Sequence, residues 1–314
     1  MSVDKRVPAR SDAEIRRIAE RTKAEFGVSR DRPVDILHYL ESASVLTIYG
    51  RKKFIIIDPA PSQPSQQEIL VRRIKERQSL GDKFLGLALT HHHGDHIGSA
   101  LFLSKLFKVP IWAHEKASAH LSFPITNLAH ESLLDLGEHT QLCALYTPGH
   151  AESHLVFFDP IAHVLIAGDM ITDRGTVLIP PQSGSLKIYL ESLEFLTKLD
   201  IKIIIPAHGK AISEKASEFL YNACVHRYRR IRAILEVIED ASTSLDATDI
   251  TLLVYKTTMS DALMFFAQLS VESSLQWLLE SGLAEQVNYR WIARANPEEK
   301  ERLLAYPNNT QITL

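Results

Sequence analysis

The sequence predicts a layered α/β fold, with sheets covered by helices, followed by a smaller helical domain. Three observations carry this. Eight short apolar runs of strand type are interleaved with helical patterns between residues 44 and 209. Many of these runs are apolar on both faces, the mark of strands covered on both sides. After Gly209 the texture changes to one long helical pattern, shorter helices and a hairpin. The 314 residues are enough for one large domain plus a small one.

Taken in order, residues 11 to 26 read as a helix: Ser11 can cap, Glu14 follows three positions later, and Ile15, Ile18 and Phe26 share a face. Residues 1–40 are therefore expected to form a helical N-terminal extension. The strand-type runs are "SVLTIYG", "KFIIIDPA", "FLGLALTH", "VPIWAH", "QLCALYTPGH", "HLVFFD", "HVLIAGD" and "IKIIIPAHG". Between them lie helical patterns over 66–78, 98–107 and 186–199, and together these span an expected domain over 41–212. Residues 213–241 form one long helical pattern carrying Arg227, Arg229, Arg230 and Arg232. Three short helical candidates and the hairpin "GLAEQVNYRWIAR" follow, the outline of a winged helix within 213–314. No repeat or low-complexity tract interrupts the chain.

Hydrophobic residues at 45% and charged residues at 23% suit a soluble globular protein, and a net charge of −3 argues against wholesale capture of nucleic acid or membrane. The N-terminus lacks an apolar signal core, and no run is long enough to span a bilayer, so a cytoplasmic protein is expected. Cys143 and Cys224 are too few for a disulfide framework or a thiolate zinc cage. They read as reduced thiols, and any metal must be held by nitrogen and oxygen.

The stretch "LALTHHHGDHIGSA" (87–100) places four histidines and an aspartate within six positions, directly after an apolar strand. Burying so many polar rings costs several kcal/mol unless something satisfies them. In an extended segment residues two apart point to the same side, so His91 and His93 converge and His92 is a spacer that points away. Gly94 then permits a tight turn, after which Asp95 and His96 face a second position. Two half-built sites need more ligands, and three further strand ends supply them: His150 after "LYTPG", Asp169 after "VLIAG" and His208 after "IIIPA". Imidazole and carboxylate suit zinc, and also manganese or iron. A lone histidine is better read as a structural residue, and His38, His114, His120, His130, His139, His163 and His226 are read so. Seven residues in order at four strand ends are not.

The motifs "THHHGDH", "TPGH", "AGDM" and "PAHG", with "FIIIDPA" upstream, resemble the metallo-β-lactamase superfamily over roughly residues 40 to 212. The resemblance implies an αββα sandwich with a two-metal site along one sheet edge. One divalent ion, zinc first and manganese or iron otherwise, would take His91, His93 and His150. The other would take Asp95, His96 and His208, with Asp169 bridging. Asp58, in the family's first motif, is read as a turn carboxylate behind the ligands. His154, in "PGHAESH", is carried as a residue behind the ligands or at the substrate. "GDMITDRG", "HRYRRIRAIL", "VYKTT" and "SSLQWLLESGLAE" are similar to the branch with a C-terminal winged helix, which includes endoribonucleases and hydroxyacylglutathione-hydrolase-like proteins. Two features depart from it: the N-terminal stretch is longer, and the first strand lacks the branch's Thr-Asn-Thr-Tyr pattern.

Two such cations hold a bridging water and lower its pKa from about 16 to near 7. The hydroxide attacks a carbonyl or phosphoryl centre, with Asp95 orienting it. Asp169 stands where exported β-lactamases carry Cys, and His93 stands where flavodiiron proteins carry Glu, so both readings recede. The expected function is hydrolysis of a small ester or thioester. The alternative is a single-stranded endoribonuclease or phosphodiesterase, whose RNA wants a basic groove with aromatic stacking. Tyr228 with the surrounding arginines, and Lys187 and Tyr189 near the site, are its candidates. Arg227 and Arg230 share a face while Arg229 and Arg232 turn away, however, and this scatter reads as a solvated helix face. The winged helix can equally wall the pocket or form a homodimer interface. Further alternatives are a single-iron persulfide dioxygenase and a non-catalytic, metal-stabilised binding protein.

Overall fold

The structure, a computed structural model, describes residues 34–39, 42–49, 52–137, 141–173, 175–255 and 260–306. The helix expected over residues 11 to 26 and the side chains of His38 and His139 lie outside the described residues.

Two sheets face each other. The first has the order β1-β2-β3-β4-β5-β6, with β1 (Val34–Tyr39), β2 (Ser42–Tyr49), β3 (Lys53–Ile57), β4 (Lys83–Ala88), β5 (Ile111–Ala113) and β6 (Thr126–Asn127). The second runs β11-β10-β9-β8-β7, with β7 (Ser132–Asp135), β8 (Gln141–Tyr146), β9 (Leu155–Asp159), β10 (Val164–Gly168) and β11 (Ile203–Pro206). Parallel neighbours need a crossover, and helices supply it. The first, α1 (Pro64–Ser79), joins β3 to β4; α2 (Gly94–Ile97) and α3 (Ala100–Phe107) join β4 to β5; α4 (Leu186–Thr197) lies between β10 and β11.

Three buried clusters show why the strands read as apolar throughout. Leu46, Ile55, Ile57, Phe157 and Ile166 meet between the sheets. Phe54, Phe84 and Leu87 turn the other way, onto Leu70 and Ile74 of α1 and Leu103 of α3. Val156, Phe158 and Leu165 likewise cover Leu186, Leu190 and Leu193 of α4. Both faces of both sheets are covered, giving an αββα order of layers. Every one of the eight expected strand runs forms a strand. The sequence reading missed β1, β6 and β7. The first of these is a correction: residues 34–39, assigned to the helical extension, pair antiparallel with β2 and belong to the sandwich. Val34 and Ile36 lie two apart, a strand period inside a stretch read as helical.

The C-terminal part consists of α5 (Ala216–Asp240), α6 (Ala247–Tyr255), α7 (Asp261–Glu280), a hairpin of β12 (Ala284–Val287) and β13 (Arg290–Ala293), and α8 (Pro297–Leu304). Val271, Leu275, Leu278 and Trp291 belong to the same buried cluster as Val156 and Leu193, so these helices share a core with the sandwich. Here the solvated arginine face expected on α5 is corrected. Arg227 and Arg232 are both buried. Arg232 donates to the carbonyls of Leu303 and Tyr306 at 2.9 Å, Arg227 donates to the carbonyl of Val177, and Arg230 lies 4.2 Å from the Tyr255 ring centre. The helix is packed on several sides at once, against α4, α6 and α7, so opposite faces are covered. Among the described residues no helix is long and apolar enough to cross a membrane.

Candidate metal centre

Four strand ends deliver seven metal-type side chains to one edge of the sandwich. One of these strands, β4, comes from the first sheet and continues through Thr90 into His91, His92 and His93; α2 then carries Asp95 and His96. The other three belong to the second sheet: β8 leads to His150, β10 to Asp169 and β11 to His208. Three overlapping groups result, each with ligand atoms within 4.8 Å of one another: His91, His93 and His150; His91, His96 and Asp169; Asp95, His96 and His208. Gly94, expected to allow a tight turn, instead begins α2 in helical backbone, and a Cβ there would meet nothing. Glycine is demanded beside the other ligands: at Gly168 φ is +51° and a Cβ would lie 2.7 Å from His154 Nε2, and at Gly149, before His150, φ is +136° and a Cβ would lie 2.3 Å from Tyr189 Cα.

Groups behind the cluster decide which ring nitrogens carry protons. Asp58, buried and at φ +49°, accepts the Thr90 N–H at 2.7 Å on Oδ1, and the Thr90 hydroxyl at 2.7 Å and His96 Nδ1–H at 2.8 Å on Oδ2. The Thr90 hydroxyl, having given its proton to Asp58, accepts from His91 Nδ1 at 3.0 Å. His150 Nδ1–H donates to the Leu178 carbonyl at 2.9 Å. With Nδ1 engaged from behind, His91, His96 and His150 all turn Nε2 inward. His91 Nε2 and His150 Nε2 stand 2.9 and 3.0 Å from the same atom, His93 Nδ1. One proton on His93 cannot serve two lone pairs well. Nitrogens held 2.0–2.1 Å from a tetrahedral ion lie about 3.3 Å apart, close to this spacing.

Asp169 faces both halves. Its Oδ2 is 3.4 Å from His150 Nε2, and its Oδ1 is 3.5 and 3.6 Å from His96 Nε2 and His208 Nε2. Asp95 Oδ2 lies 3.3 Å from His208 Nε2 and 3.7 Å from His96 Nε2. Asp169 Oδ1 and His96 Nε2 are buried with no hydrogen-bond partner. Such orphaned atoms cost about 1–3 kcal/mol each when left bare. Two divalent cations fit this donor set: they would satisfy both atoms and the facing lone pairs together. The side chains of His208 and Asp95 are 43% and 44% exposed, so the cluster opens to solvent on that side.

Electrostatics agree with the ligand arrangement. Burial, and then the neighbouring rings, hold His91 well below its ordinary value, push His93 down to about 4 and lower His150. These rings are neutral near pH 7, as ligands must be. His96 is the exception. Its burial is outweighed by Asp58 and Asp169, which raise it to about 10. A hydrogen bond to Asp95 also raises His208. Burial works against the Asp169 carboxylate, but His96, His150 and His208 hold it well below the usual range. This half of the cluster demands positive charge.

The other candidates fall behind or outside the cluster. His154 is fully buried; its Nε2 accepts the Asp169 N–H at 3.1 Å, which aims the Asp169 backbone. His92 turns out as expected but has partners of its own: it bonds to Ser153 Oγ at 2.7 Å and stacks on His120 at 3.9 Å. Tyr189 is buried and donates to the carbonyl of Met170, the residue after Asp169, at 2.7 Å. Lys187 lies elsewhere, lining a groove with Glu191 and Glu194. The sequence reading missed Thr90 and the Leu178 carbonyl. Thr90 could have been flagged as the polar residue between the strand and the cluster; a carbonyl carries no such signal.

A family model of the metallo-β-lactamase superfamily matches residues 39–208. A lactamase-like protein of Aspergillus fumigatus is 29% identical over 188 residues, taking in 59% of this chain and 52% of its own length. An atrochrysone carboxyl ACP thioesterase of Passalora fulva is 27% identical, covering 60% and 54%. A hydroxyacylglutathione hydrolase of Francisella tularensis subsp. novicida is 28% identical, covering 51% and 60%. The chain thus spans about half to three-fifths of the length of these curated relatives. In three dimensions, a β-lactamase domain protein from Burkholderia ambifaria superposes with a TM-score of 0.71 at 19% identity, covering 86% of this chain and 93% of that one.

Proposed function

We propose that this chain, which belongs to the metallo-β-lactamase superfamily, is a two-metal hydrolase of small thioesters. The observation that carries the reading is the bridging pose of Asp169, one oxygen toward each group of ligand nitrogens, with Oδ1 otherwise orphaned. His91, His93 and His150 would hold one ion and Asp95, His96 and His208 the other; zinc suits both sets. Bound there, two cations supply a water of lowered pKa and polarise the carbonyl under attack.

The chain's own residues do the positioning. Asp58 and Thr90 fix the tautomers of His96 and His91, and Leu178 fixes that of His150. The exposed Asp95 carboxylate is placed to accept a proton from a water lodged between the ligand groups. Neither thiol competes as nucleophile, since Cys143 and Cys224 are buried and burial pushes the Cys224 thiol up. A thiolate departs without a proton, so no further general acid is required. Two relatives carry names of enzymes acting on acyl groups joined to glutathione or to an acyl carrier protein, and both linkages are thioesters.

We read α5 to α8 and the hairpin as a winged helix that braces the site. Leu245 pairs with Trp291 in a single antiparallel bridge beside the two-stranded ribbon. Arg227 binds the Val177 carbonyl and Ser273 binds that of Ile179, the residues on either side of Leu178. The C-terminal helices thereby hold the carbonyl that orients His150. Because Arg227 and Arg232 are buried and Arg230 lies over the Tyr255 ring, an open RNA groove on this helix is disfavoured.

The test sets zinc- and manganese-loaded protein against lactoylglutathione and single-stranded RNA, with Asp169→Ala as the control for contaminants. Thioester cleavage that the variant lacks is expected. RNA cleavage that depends on Asp169, without thioester cleavage, would overturn the reading.

A further inference from the structure

Beside the metal cluster lies a cavity of about 590 Å³, between the segment that follows β10 and the first half of α5. This is ample for one arm of a small substrate. It shares a wall with the cluster: Ile171 and Thr172 line it, and the Thr172 hydroxyl donates to the His208 carbonyl at 3.2 Å. Tyr189 and Phe219 give it apolar sides.

Its charge is what calls for a ligand. Arg227 lines the cavity at a residue exposure of 8%. Its guanidinium contacts are the Val177 carbonyl and the face of Tyr189, whose centre is 5.3 Å away; among the described residues no carboxylate pairs with it. Guanidinium has five N–H donors in a fork that matches an oxyanion, and a buried one is costly without a counter-charge. Lys215, Asn222 and His226 add a cation and polar groups to the same walls. Burial and the neighbouring arginines push His226 down to about 4, leaving a neutral ring with one N–H to donate. Glu214 is the one carboxylate among the lining residues, and it is exposed, as is Lys215, which is also bonded to Glu218 at 3.1 Å.

We propose that this cavity binds an anionic arm of the substrate, a carboxylate or a phosphate, with Arg227 as its buried counter-charge and Lys215, Asn222 and His226 around it. The inference rests on the thioester reading above and makes it narrower: the preferred substrate carries an oxyanion on the arm that does not react. Arg227 then acts twice, bracing the Val177 carbonyl and receiving the arm.

The test begins on the full chain stripped of metal by a chelator, so that anions cannot report on bound cations. Glutarate and inorganic phosphate are titrated by calorimetry into the native protein and into Arg227→Gln, Lys215→Gln and the remote Lys202→Gln. Saturable binding that weakens about tenfold in Arg227→Gln and several-fold in Lys215→Gln, with no change in Lys202→Gln, is expected. Stronger glutarate binding assigns a carboxylate arm, stronger phosphate binding a phosphate arm. Lys215→Gln guards against a folding defect in Arg227→Gln. No binding, or equal binding in both cavity variants and the native protein, overturns the proposal. On the zinc-loaded chain, kcat/KM for a glutaryl thioester should exceed that for the valeryl thioester, and the preference should shrink in Lys215→Gln. A preference equal in native protein and variant overturns the proposal as well. If neither thioester is cleaved while the anion titration behaves as expected, the hydrolase reading fails and the anion site stands.

Discussion

Replacing Asp58 by asparagine keeps its shape but removes the acceptor that both halves of the ligand cluster depend on. In the native protein Oδ2 takes protons from His96 Nδ1 at 2.8 Å and from the Thr90 hydroxyl at 2.7 Å. The Thr90 backbone N–H, which cannot reverse, holds the amide oxygen on its own side, so the NH₂ would meet the His96 N–H donor to donor. A buried donor left facing another costs about 1–3 kcal/mol. Moving the His96 proton from Nδ1 to Nε2 removes that conflict but blocks the inward nitrogen. The amide would also turn the Thr90 hydroxyl into an acceptor, so Thr90 would donate to His91 Nδ1 and drive that proton to Nε2 too. A change outside both ligand sets thus reaches both. Loss of such supporting partners weakens metal affinity 10–100-fold, or about 1.4–2.7 kcal/mol per site. Competition against a chromophoric chelator reads both affinities and the number of ions bound. Asp58→Asn should weaken both ions to that extent while the protein stays folded. If both affinities are unchanged, or if only one site weakens, the relay through Thr90 is wrong.

Two further predictions follow from the same cluster. Binding two zinc ions to the metal-free protein at pH 7 should release one to two protons from His96 and His208, whose pKa values are raised, up to about one more from the bridging water, and none from His91, His93 or His150. Calorimetry in buffers of different ionisation enthalpy counts them, and a count of zero would contradict the assigned charges. The metal-free protein should also lose stability on both sides of neutrality. His92, His93 and His226 protonate at about 4 when folded and about 6.5 when unfolded, so the unfolded chain binds more protons between these values and stability falls as pH drops through that window. His96 titrates at about 10 when folded, so its contribution is full below about 6.5 and lost as pH rises toward 10. Urea midpoints across this range check both limbs; a monotonic profile from pH 4 to 10 would refute the pairing.

The seven cluster residues, the eight strand runs and the long helix were readable in the sequence because each rests on local order. A period of two residues, a helical period, or a polar ligand after an apolar strand is visible within a few residues of itself. Their convergence could be expected because the four ligand-bearing strand ends fall in order and share one chemistry. What tertiary structure alone decided are interactions between residues far apart in the chain. The proton on His96 depends on Asp58, 38 residues away, and the pose of His150 on a carbonyl 28 residues on. Arg232 looked solvated until residues 71 and 74 positions later closed over it. Gly94 carried the turn in the sequence reading, yet close approaches occur at Gly149, against Tyr189, and at Gly168, against His154 and Thr90. Periodicity states which side of an element is apolar. Only packing states what faces it, and with that the tautomers, the buried charges and the cavity beside the cluster.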